Sequence, residues 1–257
     1  MLRRGAGAML VCLVAMVCGG CQMYRLCEAP RYQRLVFAAE APRLRVLFVG
    51  NSLTYYNDLP GLVQQFSARE ARPVEFEVVT KPGVSLWFHW AMCYVPWRMR
   101  RAEWDYVILQ EYSRKPATNP EGSLASLGKF AELATRRGAV PIYWETWTRQ
   151  GCEKDAPKLA AVFAAVQARW GGELAPIGAA WERCAARFPA IKLYDDARHP
   201  TDAGSYLAAC VIYETLYHKS AAGLPVALPG LRLPAETAAQ LQQVAAMEAV
   251  SAGAGPG

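Results

Sequence analysis

Asp196-Ala197-Arg198-His199-Pro200 sets a carboxylate and an imidazole three residues apart, and Gly50-Asn51-Ser52-Leu53-Thr54 delivers a serine at the end of the apolar run Val46-Leu47-Phe48-Val49. A hydroxyl becomes a nucleophile when an imidazole takes its proton. The imidazole keeps the needed tautomer when a carboxylate accepts from its second nitrogen. These residue types in this order support covalent acyl transfer, with Ser52 attacking, His199 moving the proton and Asp196 orienting His199. Each also has a plainer use. Ser52 in a Gly-Asn-Ser turn suits a helix cap, and His199 before a proline suits an exposed loop. Asp195 stands beside Asp196 as a second candidate orienter, although the spacing favours Asp196.

The elements that must position these residues follow from hydrophobic patterning. Strands are expected over residues 43–49, 74–79, 106–109, 140–143 and about 174–177. Helices are expected over about 60–72, 87–101, 122–137 and 156–170, over 202–217 behind a Thr201 cap, and over 234–250. The second strand alternates before turning continuous, which places it nearer a sheet edge. Strands alternating with helices imply an α/β fold with a mainly parallel sheet covered on both faces. In such sheets ligands gather beyond the carboxyl ends of the strands. Ser52, Gly83, Gln110 and the Trp144-Glu145-Thr146-Trp147 segment would all lie at that edge.

Gly50-Asn51-Ser52-Leu53, Gly83, Gln110 and Asp196-x-x-His199-Pro200, in this order, resemble the SGNH/GDSL hydrolase superfamily over residues 43–217. The resemblance implies a three-layer α/β/α sandwich, flavodoxin-like, with about five strands and a Ser52–His199–Asp196 triad. It also implies an oxyanion hole formed by the backbone N–H groups of Ser52 and Gly83 and the side-chain amide of Gln110. Leu109-Gln110-Glu111 stands where the superfamily usually has Gly-x-Asn-Asp, and a glutamine amide is likewise a donor. The implied reaction is hydrolysis of an O-acyl ester, with O-acetyl on a carbohydrate as the leading substrate. Two rival readings are a lysophospholipase or thioesterase acting on longer chains and an inactive carbohydrate-binding surface lipoprotein. Asn51, Trp87, Glu145 and Trp147 are candidate substrate contacts, because flat aromatic faces beside polar groups suit a sugar; tryptophans equally fill cores.

Composition narrows the partners. Hydrophobic residues make up 53% and charged residues 19% of the chain, which fits a globular protein with one sizeable domain. The net charge of +6 is mild, and its basic clusters accompany no nucleic-acid motif. No phosphate loop or dinucleotide fingerprint appears, so no cofactor is expected. There is no C-x-x-C pair, and two ligand types in one loop make a poor zinc site, so no metal is expected either. The absent G-x-S-x-G elbow argues against the larger α/β-hydrolase fold.

Arg3-Arg4, a short apolar stretch over residues 9–17 and Cys18-Gly19-Gly20-Cys21 resemble a bacterial lipoprotein signal, with Cys21 lipidated. The expected organisation is a signal over 1–21, a loosely packed lead-in over 22–42, the hydrolase-like domain over 43–250 and a tail over 251–257. The expected product is an exported monomer at the cell envelope. It would meet a small-molecule or glycan ester and touch membrane only through its anchor.

Overall fold

A computed structural model describes the backbone of residues 31–252 and the side chains of residues 31–246. Among the described residues five strands form one parallel sheet: β1 (Leu44–Gly50), β2 (Val74–Thr80), β3 (Tyr106–Gln110), β4 (Val140–Trp144) and β5 (Glu173–Ala175). Their spatial order is β2-β1-β3-β4-β5. Central β1 reads as a continuous apolar run because both its faces are covered. Val46 and Phe48 enter one core, and Leu47 and Val49 enter the other. Edge strand β2 alternates as expected, and its Glu77 pairs with Arg98 on the exposed margin.

Among the described residues ten α-helices accompany the sheet, seven between its strands and three after β5: α1 (Ser52–Tyr55), α2 (Leu59–Phe66), α3 (Leu86–Ala91), α4 (Tyr94–Arg101), α5 (Lys115–Thr118), α6 (Pro120–Arg136), α7 (Ala156–Trp170), α8 (Ile177–Arg187), α9 (Asp202–Tyr217) and α10 (Ala235–Ala252). The core against one face draws on α2, α8, α9 and α10, and the core against the other on α3, α4, α6 and α7. Helix α9 is buried around nearly its whole circumference, which accounts for its mostly apolar sequence.

Four expectations need correction. The helix expected over 87–101 is two helices, broken at Cys93, whose backbone is left-handed with φ 58°. Helix α8 was not anticipated, although Ile177, Ala180, Trp181 and Cys184 recur at i, i+3, i+4 and i+7 and are all buried. Extending the short fifth strand to Ile177 absorbed the first turn of that pattern. The helix from Pro60 ends at Phe66 and tightens into a 3₁₀ turn over Ser67–Arg69. Residues 31–35 do not pack loosely: Tyr32 is buried, Arg31 bonds Asp202, and Arg34 bonds Asp58.

Cys93, Cys152, Cys184 and Cys210 are free thiols. The signal segment and Cys21 lie outside the described residues. No helix among the described residues is long and apolar enough to cross a membrane.

Candidate active site

Because β2 and β3 flank β1 on opposite sides, the chain leaving β1 enters the crevice where the sheet order reverses. Asn51 is extended (φ −130°, ψ −152°) and caps α1 by accepting from Leu53 N–H at 3.1 Å. Its Nδ2 donates to Val84 O at 3.0 Å, which ties the Ser52 turn to the Gly83 turn. The Asn51 N–H donates to Gln110 Oε1 at 2.9 Å, and the Thr54 hydroxyl donates to the same oxygen at 3.1 Å. From β1, Gly50 O accepts from His89 Nε2 at 2.7 Å. Burial pushes the His89 pKa down to about 4, so this imidazole is a neutral donor. Gly50 must lack a side chain: a Cβ there would stand 2.3 Å from Thr54 Oγ1 and 2.5 Å from Gln110 Oε1.

The Asp196–His199 loop meets this turn from the other side. Ser52 Oγ lies 2.9 Å from His199 Nε2, and His199 Nδ1 lies 2.8 Å from Asp196 Oδ2. Asp196 Oδ1 also accepts from the N–H groups of Arg198 and His199, each at 2.7 Å. Partial burial works to raise the Asp196 pKa. The three hydrogen bonds outweigh it and hold the carboxyl far below the usual carboxylate range. Asp195 instead accepts from Tyr56 Oη at 2.9 Å, which settles the choice of neighbour. The Tyr56 ring stacks on the His199 ring at 4.6 Å and 15°.

Ser52, Asn51, Gly83 and His199 open onto one cavity of about 630 Å³. Leu53 and Pro82 give it a small apolar wall, and Tyr55 and Tyr56 an aromatic one. Tyr112, Ser113, Arg149 and Arg198 complete it. Sequence reasoning missed this last group, which carries no motif. The available signal was position, because Tyr112 and Ser113 lie just past β3 and Arg149 lies five residues past β4.

Several expected site residues serve otherwise. Gln110 is fully buried and does not line the cavity; with Oε1 committed to Asn51 and Thr54, its Nε2 donates to Glu111 O. The Asn51 N–H decides which end of the amide faces the turn, so Gln110 braces the Ser52 turn with its oxygen and points no donor into the cavity. Gly83 does line the cavity, yet a Cβ there would meet nothing within 4 Å. Its φ of 69°, rather than close approach, is what calls for glycine.

Trp147 is buried beneath the triad loop, where its Nε1 donates to Arg198 O at 3.0 Å and its ring stacks on Trp181 at 4.2 Å. Trp87 is 61% exposed and lies outside the cavity. Glu145 lines a separate cleft with Glu182 and Thr146, between α7 and α8, that shares no residue with the Ser52 cavity. Burial pushes the Glu145 pKa up to about 7, and Glu182 adds to the shift while Arg183 opposes it.

No family model and no curated protein matches the sequence. Solved structures do. A protein assigned as an SGNH hydrolase from Slackia heliotrinireducens is 30% identical, with 68% of this chain and 99% of that one covered at a TM-score of 0.57. A DUF4886 family protein from Bacteroides uniformis is 17% identical over 81% of this chain and 95% of its own, with a TM-score of 0.69. The psychrotrophic esterase EstA from Pseudoalteromonas sp. is 11% identical over 68% and 97%, with a TM-score of 0.53. The last two share the fold, while the first shares sequence as well over nearly all its length. This chain belongs to the SGNH/GDSL hydrolase superfamily and is a serine ester hydrolase.

Proposed function

We propose that the protein removes a short O-acyl group, foremost O-acetyl from a carbohydrate, through an acyl-enzyme formed on Ser52. The observation that carries this reading is the unbroken contact chain from Ser52 Oγ to His199 at 2.9 Å and from His199 to Asp196 at 2.8 Å, opening on one cavity. His199 takes the Ser52 proton as Oγ attacks the carbonyl, and Asp196 stabilises the imidazolium that forms. The backbone N–H groups of Ser52 and Gly83 are the donors for the oxyanion. His199 then protonates the departing alcohol, and water repeats the sequence to free the acid. A short acyl group is favoured because tyrosine, serine and arginine outnumber aliphatic side chains on the wall. Aromatic faces beside hydroxyl and guanidinium groups suit a polyhydroxyl alcohol. The resemblance of residues 1–21 to a lipoprotein signal supports a place at the cell envelope, where such an alcohol would be a surface glycan.

The test compares wild type with Ser52→Ala and His199→Ala on p-nitrophenyl acetate and on longer acyl esters. Acetate turnover is expected in wild type, with a fall of about 10⁴–10⁶ in each variant. Turnover of long chains alone would overturn the short-acyl reading. A wild type no faster than Ser52→Ala on every ester would overturn the acyl-enzyme itself.

A further inference from the structure

Arg149 sits on the cavity wall in a setting unlike that of other arginines in the fold. Arg31, Arg34, Arg72, Arg98 and Arg114 each meet a carboxylate within 3.0 Å. Arg149 meets none within 4 Å among the described residues. Its Nε donates to Ser113 Oγ at 3.1 Å, its Nη2 donates to Tyr112 Oη at 2.9 Å, and its guanidinium lies 5.3 Å from the Tyr112 ring centre. Hydroxyls fix the direction of a guanidinium without neutralising it. The result is a half-buried, pre-aimed cation on the wall of the Ser52 cavity, with N–H groups left over from its two bonds.

Arg198 strengthens the same field. It lines the cavity beside His199, and its side chain has no carboxylate within 4 Å among the described residues. No Asp or Glu lines the cavity. The carboxylates on adjoining segments are already engaged: Asp196 by His199, Asp195 by Tyr56, Glu111 by Lys115 and Asp155 by Arg114. A planar fork held this way matches carboxylate, phosphate or sulfate oxygens in pairs.

We infer that the Ser52 cavity selects esters whose molecule also carries an anionic group, bound by Arg149 with Arg198 adding attraction at the mouth. This rests on the hydrolase reading and narrows its substrate class. Charge on a flexible, exposed arginine is screened by solvent, so Arg198 contributes less than Arg149.

Two matched ester pairs test it. 4-Acetoxybenzoate against its methyl ester puts the charge on the alcohol side. 4-Nitrophenyl hydrogen glutarate against 4-nitrophenyl valerate puts it on the acyl side. The readout is the charged-to-neutral ratio of kcat/KM, which cancels intrinsic ester reactivity. In at least one pair the ratio should fall about 10- to 100-fold in Arg149→Met, mainly through KM, less in Arg149→Lys and less again in Arg198→Met. Whichever pair responds locates the anion.

Binding of the charged ester of the responding pair to Ser52→Ala, measured by calorimetry with and without Arg149→Met, gives a readout that needs no turnover. Unchanged ratios in both pairs, or equal binding by the two proteins, overturn the inference. Turnover of the neutral esters that is lost in Ser52→Ala would still leave the hydrolase reading standing.

Discussion

Ser52 leaves the buried middle of the sheet two residues after β1, whereas His199 arrives on a loop closed by the isolated bridge between Tyr194 and Pro200. Around the serine, Asn51, Thr54, His89 and Gln110 are all buried, and each bonds within the turn or to β1. Around the base, the Asp196 side chain is 51% exposed. The loop is held by single bonds from two other segments, Trp147 to Arg198 O and Gln150 N–H to Ala197 O from the loop after β4, and Asn57 Nδ2 to Pro200 O from the turn after α1. Damage at the serine turn should therefore reach the fold, because buried donors lose their acceptors. Damage at the base loop should reach mainly the rate.

The largest effect expected is at Asp196. Asp196→Asn should lower turnover roughly 10⁴-fold by losing the correct imidazole tautomer, while thermal melting stays close to wild type. A large fall in Tm would break the division between the two regions.

Next come the two carboxyls whose pKa values move in opposite directions. Glu145 is raised to about 7 by burial, above its value in the unfolded chain, so the folded state holds the extra proton. Its contribution to stability is intact below about pH 4.5 and is lost as pH rises through about 7. Glu145→Gln should therefore stabilise at pH 8, by at most about 3 kcal/mol, and do little at pH 5. Melting curves at both pH values check this, and an equal gain at the two would refute the buried-proton account.

Smaller is Gln110→Leu, which strands the Asn51 N–H and should cost about 1–3 kcal/mol of stability together with activity. Loss of turnover at unchanged Tm would instead return Gln110 to the oxyanion. Smallest is Tyr56→Phe, which keeps the stack on His199 and loses the bond to exposed Asp195. A change of no more than about threefold in kcat is expected from so exposed a contact.

The same contrast explains what could be read from sequence. β1 and Ser52 were legible because a buried parallel strand is a continuous apolar run ending in turn residues. Ser52, Asp196 and His199 were legible from residue type and spacing. Gln110 was misread because type supplies a donor but not its direction, which depends on an N–H fifty-nine positions away. Glu145 and Trp147 were placed correctly at a strand end and wrongly in the site. Both lie past the last strand residue, where the strand's alternation no longer fixes where a side chain goes. Arg149 left no trace in the pattern, since its setting depends on Tyr112 and Ser113 from another strand end.

Composition also placed the start of the folded unit too late. Asn57 and Asp58 both occupy the left-handed region, at φ 56° and 53°, which short polar side chains enter more readily than others but at a cost in strain. Arg31 and Arg34 hold them there, Arg31 through Asn57 Oδ1 and Arg34 through both oxygens of Asp58. Asn57 in turn carries the Pro200 carbonyl beside His199. A chain trimmed to begin at Arg43 would keep every strand and every triad residue, and it would lose the outermost link of the scaffold that seats the histidine. Anyone cutting this protein for display or fusion should leave Arg31 and Arg34 attached.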